Sequence, residues 1–374
     1  MKFTISHDRN YLLLSEYSNI EYEQLMSSLT KKVEGYHFKK KGLAKKGFEF
    51  KGDVYFMDRL GRIPYGMYVE VHDIAKRYRF NMEIEGGMSN FTDQTFDESD
   101  FLSWAGDYFE KSEKKPRQYQ LDGAIAALKY MRCVEEISTS GGKTLIAFMI
   151  FMYLLDRKRI NKMVYVVPSV DLASQSCDKF YEYALGANRP INFKTAKQFS
   201  GEATPPEDVN IVFGTYQTLS KKDVTFMRQF DAVLEDETHH AKNESSRKIV
   251  TTCYNAKYRI GLTGTLPAPN TCAWFTIQSY FGPCVYVLKS EDLIESKFAT
   301  PINVACIQMK YLDEPTLKNL YDLRMVNSED KEGSKLLALE KQVMRNDRKR
   351  LVYVCNTIAK ATKNSLVLFA DIKY

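Results

Sequence analysis

Between residues 136 and 144 the chain reads Glu136-Ile137-Ser138-Thr139-Ser140-Gly141-Gly142-Lys143-Thr144, a run that separates a short apolar stretch from a long one. Small residues there let successive backbone N–H groups turn inward where a strand hands over to a helix N-terminus. With the Lys143 ammonium and the Thr144 hydroxyl, those N–H groups form a cradle for the β- and γ-phosphates of a nucleotide and its Mg²⁺. Ser140, Gly141 and Gly142 are the residues expected to lie against phosphate. The strict pattern of such loops opens with glycine, and this chain has Ile137 in that place.

Downstream, Phe230-Asp231-Ala232-Val233-Leu234-Glu235-Asp236-Glu237-Thr238-His239 is an apolar run ending in acids. It reads as a buried parallel strand that carries its carboxylates to the sheet edge where the phosphate loop also lies. Asp236 is then placed to hold Mg²⁺ and Glu237 to orient and deprotonate an attacking water, with His239 linking the pair to a γ-phosphate sensor. Lys143, Asp236 and Glu237 are thus the candidate catalytic residues, and Thr144 and Asp236 the candidate Mg²⁺ ligands.

At 374 residues the chain suits two or three domains. Its 53 basic and 47 acidic residues leave +6, too mild an excess to establish a nucleic-acid partner by itself. Seven cysteines (Cys133, Cys177, Cys253, Cys272, Cys284, Cys306, Cys355) form no Cys-x-x-Cys pair, which predicts reduced thiols in a cytoplasmic protein and no structural zinc. The opening residues carry no signal-peptide core, and the apolar stretch from Leu145 to Leu155 is too short to span a bilayer. No membrane association is expected.

A turn-rich, acidic segment from Glu85 to Ser99 divides the chain. Before it, the aromatic and β-branched runs Phe48–Phe50, Val54–Phe56 and Met67–Val71 read as strand-like pieces of a small α+β domain. After it, apolar segments 163–167, 211–214, 232–234 and 260–262 alternate with helical ones such as 172–183, which predicts a mostly parallel sheet with helices on both faces. The expected domains are residues 1–90, 91–300 and 301–374.

The motif series, in this order, closely resembles that of superfamily-two DExH helicase motors of the phage UvsW type, over nearly the whole chain. Arg117-Gln118-Tyr119-Gln120 looks like the motif whose final glutamine reads adenine, which assigns Gln120 to the base with Arg117 beside it. Val167-Pro168-Ser169 with Gln175, and Gly214-Thr215-Tyr216-Gln217-Thr218-Leu219, resemble the two strand-gripping motifs, so Ser169, Gln175, Thr215 and Thr218 become candidate nucleic-acid contacts. Asp236-Glu237-Thr238-His239 is then the DExH box, and Gly261-Leu262-Thr263-Gly264-Thr265-Leu266 resembles the motif that couples hydrolysis to motion, through His239, Thr263 and Thr265.

The resemblance implies a RecA-like P-loop parallel sheet behind the small N-terminal domain. It implies ATP and Mg²⁺ as ligands, and branched or forked DNA as the partner, in a phage-infected bacterial cell. Three other readings share the signature: a DExH RNA helicase, the motor of a restriction enzyme, and a nucleic-acid-binding module with a vestigial ATPase.

Lys31, Lys32, Lys39, Lys40, Lys41, Lys45, Lys46 and Lys51 face only Glu34 and Glu49, with Tyr36, Phe38, Phe48 and Phe50 interleaved. This pattern predicts a basic face for duplex DNA, centred on Lys39, Lys40, Lys41, Lys45 and Lys46. Toward the other end, 301–311 reads as a connecting strand, 314–360 as helical and 365–370 as a buried strand resembling the start of a second motor lobe. The family's later motifs supply arginines to the γ-phosphate and would lie beyond Tyr374, so a chain of this extent is not expected to unwind DNA unaided.

Overall fold

The computed structural model describes residues 1–8, 10–36, 40, 51–199, 207–240, 244–301 and 348–360. Met1–Pro301 forms one compact unit and Ile302–Tyr374 a second, in which the described element is a helix, Arg348–Ala359. That helix falls inside the segment read as helical; the strands anticipated at 301–311 and 365–370 lie, apart from Pro301, outside the described residues, as do Phe48–Phe50.

The first unit begins with a four-stranded sheet made of β1 (Lys2–Ile5), β2 (Tyr11–Glu16), β5 (Arg62–Pro64) and β6 (Glu83–Ile84), in the order β5-β2-β1-β6. A separate two-stranded ribbon pairs β3 (Thr30–Lys32) with β4 (Asp53–Tyr55). Helices α1 (Asn19–Ser28) and α2 (Tyr68–Tyr78) complete this layer. The Met67–Val71 run is therefore not a strand. Its buried positions Tyr68 and Val71 continue as Ile74 and Ala75, a spacing that puts an apolar stripe on one face of a helix.

The larger sheet has seven parallel strands: β7 (Arg132–Ile137), β8 (Met163–Val167), β9 (Thr195–Gln198), β10 (Ile211–Thr215), β11 (Ala232–Asp236), β12 (Tyr258–Thr263) and β13 (Cys284–Leu288). Their order is β13-β7-β12-β11-β8-β10-β9. Strand side chains alternate between two cores, because successive residues point to opposite faces. Met163, Tyr165, Val167, Ile211, Phe213 and Leu234 join α3 (Glu98–Tyr108), α4 (Gln118–Tyr130), α5 (Lys143–Asp156) and α6 (Val170–Gly186) on one side. Val134, Val164, Val166, Val212 and Val233 join α7 (Glu244–Thr252) and α8 (Cys272–Phe281) on the other. The predicted parallel sheet with helices on both faces is what forms.

Helix α5 is buried at every position from Leu145 to Leu154, which explains why its sequence is apolar all round. Helix α8 serves two cores at once: Ile277 and Phe281 pack under the large sheet while Phe275 enters the core of the N-terminal layer. At that seam a Cβ on Gly66 would lie 2.0 Å from the Gln278 carbonyl oxygen, so only glycine permits the backbones to approach.

Glu135, in the middle of β7, is fully buried, and neither carboxylate oxygen has a hydrogen-bond partner among the described residues. Burial pushes its pKa well above the usual carboxylate range. The unfolded chain releases this proton in the ordinary carboxylate range while the folded chain keeps it, so the group makes stability fall as pH rises. Glu135→Gln should remove a slope of about 1.4 kcal/mol per pH unit above about pH 5, read as a flatter dependence of urea unfolding on pH than in the wild type.

Candidate nucleotide-binding site

Parallel register brings three strand ends level. Asp236 of β11 pairs with Leu262 of β12, and Thr263 of β12 with Glu136 of β7, so the loops after these strands open side by side. The loop after β7 runs Ser138 to Gly142 and delivers Lys143 as the first residue of α5. Gly142 is left-handed at φ 82°, and a Cβ there would sit 2.2 Å from Gln120 Nε2. A Cβ on Gly141 would meet Ile137 Cγ2 at 2.6 Å. Both positions demand glycine, for conformation in one case and space in the other. Ile137, the departure from the strict loop pattern, is fully buried in the core above β7, where it packs against the loop it introduces.

The turn after β11 carries the carboxylates. Glu237 is left-handed at φ 55°, an uncommon conformation for a non-glycine residue, and it makes Asp236 and Glu237 diverge. Glu237 Oε1 lies 3.4 Å from Lys143 Nζ, and its Oε2 lies 3.2 Å from His239 Nδ1. His239 Nδ1 also lies 2.9 Å from Thr263 Oγ1, whose own proton goes to the Thr265 carbonyl at 2.9 Å. Thr263 Oγ1 is therefore the acceptor from His239, which puts a proton on Nδ1. The single Thr238 hydroxyl proton is shared between the Glu235 and Leu262 carbonyls, 2.8 and 3.1 Å away, stitching this turn to β12. Gly261 makes that contact possible, since a Cβ there would lie 2.7 Å from the Thr238 side chain.

Asp236 lies deeper. Burial raises its pKa to about 6, the Lys143 ammonium opposes the rise, and Glu237 adds to it. With Thr144, Asp236 borders a cavity of about 370 Å³ that also reaches Gln175, Asp178 and Glu182. Among the described residues no group of three or more His, Cys, Asp or Glu is placed to hold a metal. One carboxylate and one hydroxyl facing a shared cavity fit Mg²⁺, which takes few protein oxygens and completes its shell with phosphate and water.

Other residues singled out from the sequence fall around this edge. The Gln120 side chain accepts from Arg117 N–H at 2.9 Å and donates to the Gly141 carbonyl at 3.1 Å, tying the start of α4 to the phosphate loop. The Arg117 guanidinium lies 4.1 Å from the Phe298 ring centroid and donates to Tyr119 Oη at 2.9 Å. Ser169 caps α6 through Leu172 N–H at 3.3 Å, and the Thr215 and Thr218 hydroxyls are 3.1 Å apart. Of the central lysines, Lys40 is exposed, 5.6 Å from the Tyr36 ring; Lys39, Lys41, Lys45 and Lys46 lie outside the described residues.

Sequence reasoning gave no role to Tyr165, Tyr216 or Glu136. Tyr165 Oη is 3.4 Å from Asp236 Oδ2, Tyr216 Oη donates to the Asp236 carbonyl at 2.8 Å, and Glu136 accepts from Leu266 N–H at 3.3 Å. Their reach across strands has no signature in a linear pattern.

Residues 113–268 match the family model described as Type III restriction enzyme, res subunit. The chain is 25% identical over 277 residues to the ATP-dependent DNA helicase uvsW of Enterobacteria phage T4, an alignment covering 71% of this chain and 53% of the relative. It is 24% identical over 221 residues to the DNA 3′-5′ translocase XPB2 of Sulfurisphaera tokodaii, covering 59% and 43% respectively. The crystal structure of the phage T4 UvsW helicase superposes with a TM-score of 0.64 at 22% identity, covering 76% of this chain and all of that one. The chain thus spans about half the length of the curated phage relative, and the shared fold is the RecA-like α/β sheet.

Gly142→Ala should displace Gln120 and force a methyl-bearing residue into a left-handed conformation, at a cost of about 1–3 kcal/mol. The expected outcome is a lower melting temperature together with at least a tenfold loss of affinity for a fluorescent ATP analogue in a binding titration.

Proposed function

Taking as premise that the chain resembles the UvsW-type superfamily-two motors in both sequence and fold, we propose that it hydrolyses ATP to drive translocation on, or unwinding of, DNA, with branched or forked duplexes as the preferred substrate. The observation that carries this reading is the Lys143–Glu237–His239 chain, in which a phosphate-loop lysine and a carboxylate from a different strand meet at one sheet edge.

In this reading Lys143 and the loop N–H groups grip the β- and γ-phosphates, and Gln120 and Arg117 face the base. Thr144 and Asp236 would hold Mg²⁺, which supplies positive charge to the phosphate oxygens. Water attacks the γ-phosphorus, the bond from that phosphorus to the β–γ bridging oxygen breaks with its electron pair leaving on ADP, and the water proton passes to the Glu237 carboxylate. The His239 N–H holds Glu237 Oε2 and shares Thr263 with the coupling loop, so the carboxylate's orientation depends on the strand beside it. Thr263 and Thr265 then couple hydrolysis to motion. Ser169, Gln175, Thr215 and Thr218 are the strand contacts, and the lysine face around Lys40 adds a duplex contact. The match to a restriction-enzyme family model favours a second reading, a restriction motor. ATP turnover measured with no nucleic acid, linear duplex, forked DNA and RNA separates the readings: the fork should stimulate most, and the branched-DNA reading fails if linear duplex or RNA stimulates more.

Lys143→Ala should weaken ATP-analogue binding at least tenfold, whereas Glu237→Gln should bind within about threefold of wild type and, measured in a protein that carries the complete motor, lose turnover by at least about 100-fold. Equal loss of binding in both variants would remove the role given to Glu237. Replacing Lys39, Lys40, Lys41, Lys45 and Lys46 by Ala should lower duplex affinity and flatten the slope of log affinity against log salt by about one per lost phosphate contact, read by fluorescence anisotropy at several salt concentrations.

A further inference from the structure

The peptide joining Asp236 to Glu237 is held at both ends. Its N–H, on Glu237, donates to Asp236 Oδ1 at 2.9 Å, and its carbonyl, on Asp236, accepts from Tyr216 Oη at 2.8 Å. The Tyr216 oxygen also lies 3.5 Å from the Glu237 carbonyl. One grip is local and the other comes from a distant loop. The two torsions beside this peptide, ψ of Asp236 and φ of Glu237, are the ones that set how the two carboxylate-bearing residues are oriented relative to each other. The plane also leads into the left-handed φ of 55° at Glu237, a conformation that persists only where surrounding structure holds it.

Tyr216 follows Thr215 at the end of β10 and opens the short helical turn Tyr216–Leu219. Strand β10 is not a neighbour of β11; β8 lies between them, and the tyrosine reaches across it. Its ring is 7% exposed and belongs to the core that contains Val164, Val166, Val212 and Leu219, so the hydroxyl cannot move unless the turn moves. The same turn carries Thr215 and Thr218, whose hydroxyls at present face each other at 3.1 Å. A phosphodiester that takes either hydroxyl must exchange that contact and shift the turn on which Tyr216 is fixed.

We propose that Tyr216 is a positioning residue that couples the two ligands: nucleic acid bound at Thr215 and Thr218 sets the Asp236–Glu237 peptide through the Tyr216 hydroxyl, and nucleotide at the carboxylates acts back on the nucleic-acid turn. This rests on the function proposed above, since it requires one chain to bind both. The coupling is thermodynamic, so each ligand changes the other's affinity by the same factor.

The test is a binding cycle on the whole protein, with a fluorescent ATP analogue and Mg²⁺ titrated in the presence and absence of a saturating single-stranded oligonucleotide, then the reverse. For the wild type a mutual factor of about 5 to 50 is expected. Tyr216→Phe keeps the ring and removes only the oxygen; the factor should fall below about 2, while each ligand alone binds within about threefold of wild type. A purely structural role for the hydroxyl would instead lower the melting temperature and both separate affinities while leaving the factor intact, which overturns the proposal. Thr218→Val, half-buried on the same turn, should weaken oligonucleotide binding and reduce the factor with the nucleotide affinity unchanged; an undiminished factor there also counts against it. A wild type that binds both ligands independently removes the coupling and leaves the proposed function standing, whereas a wild type that binds neither removes that function and the coupling with it.

Discussion

The site depends on the in-register parallel pairing of β7, β12 and β11, which makes three strands end at one level. Parallel pairing requires each strand to be followed by a return connection, and the helices that provide it cover both faces of the sheet. The two cores on those faces hold the strands against sliding, because a slip of one residue would turn every inward side chain outward. Lys143 and Glu237, contributed by different strand–loop units, meet within 3.4 Å only because that register is kept.

On this rigid edge the chain stores local strain. Ser140 at φ 75° and Glu237 at φ 55° are left-handed without being glycine, and such residues cost about 1–3 kcal/mol each when held there. Both lie in loops that face the same opening. The left-handed turn at Glu237 lets two adjacent carboxylates take different tasks, one toward the Thr144 cavity and the other toward Lys143 and His239. The Thr238 hydroxyl and the Tyr216 hydroxyl oppose relaxation of that turn from two sides.

The N-terminal layer is bound to the large-sheet layer by packing. Phe275 inserts into its core, Gly66 lies against the backbone of α8, and the Arg132 guanidinium covers the Tyr65 ring at 4.7 Å. Arg132 is the first residue of β7, so this contact joins the N-terminal layer directly to a strand of the large sheet.

What the sequence by itself determined is the part encoded at short range. Apolar strand segments alternating with helical ones, the apolar α5, the two glycines before Lys143 and the acids after Leu234 each declare themselves at short range, so the parallel α/β sheet and the ends of the site could be read directly. The Met67–Val71 run was misleading because five residues cannot distinguish a strand from the first turns of a helix whose apolar stripe is completed by Ile74 and Ala75. Only the tertiary structure decided which strands are neighbours, that Glu237 is left-handed, that Gln120 ties α4 to the phosphate loop, and that Tyr216 reaches past β8 to the Asp236 carbonyl. Those are contacts between groups far apart along the chain, settled by which buried polar atoms must find partners once the cores have closed, and no local pattern of residue types carries that information.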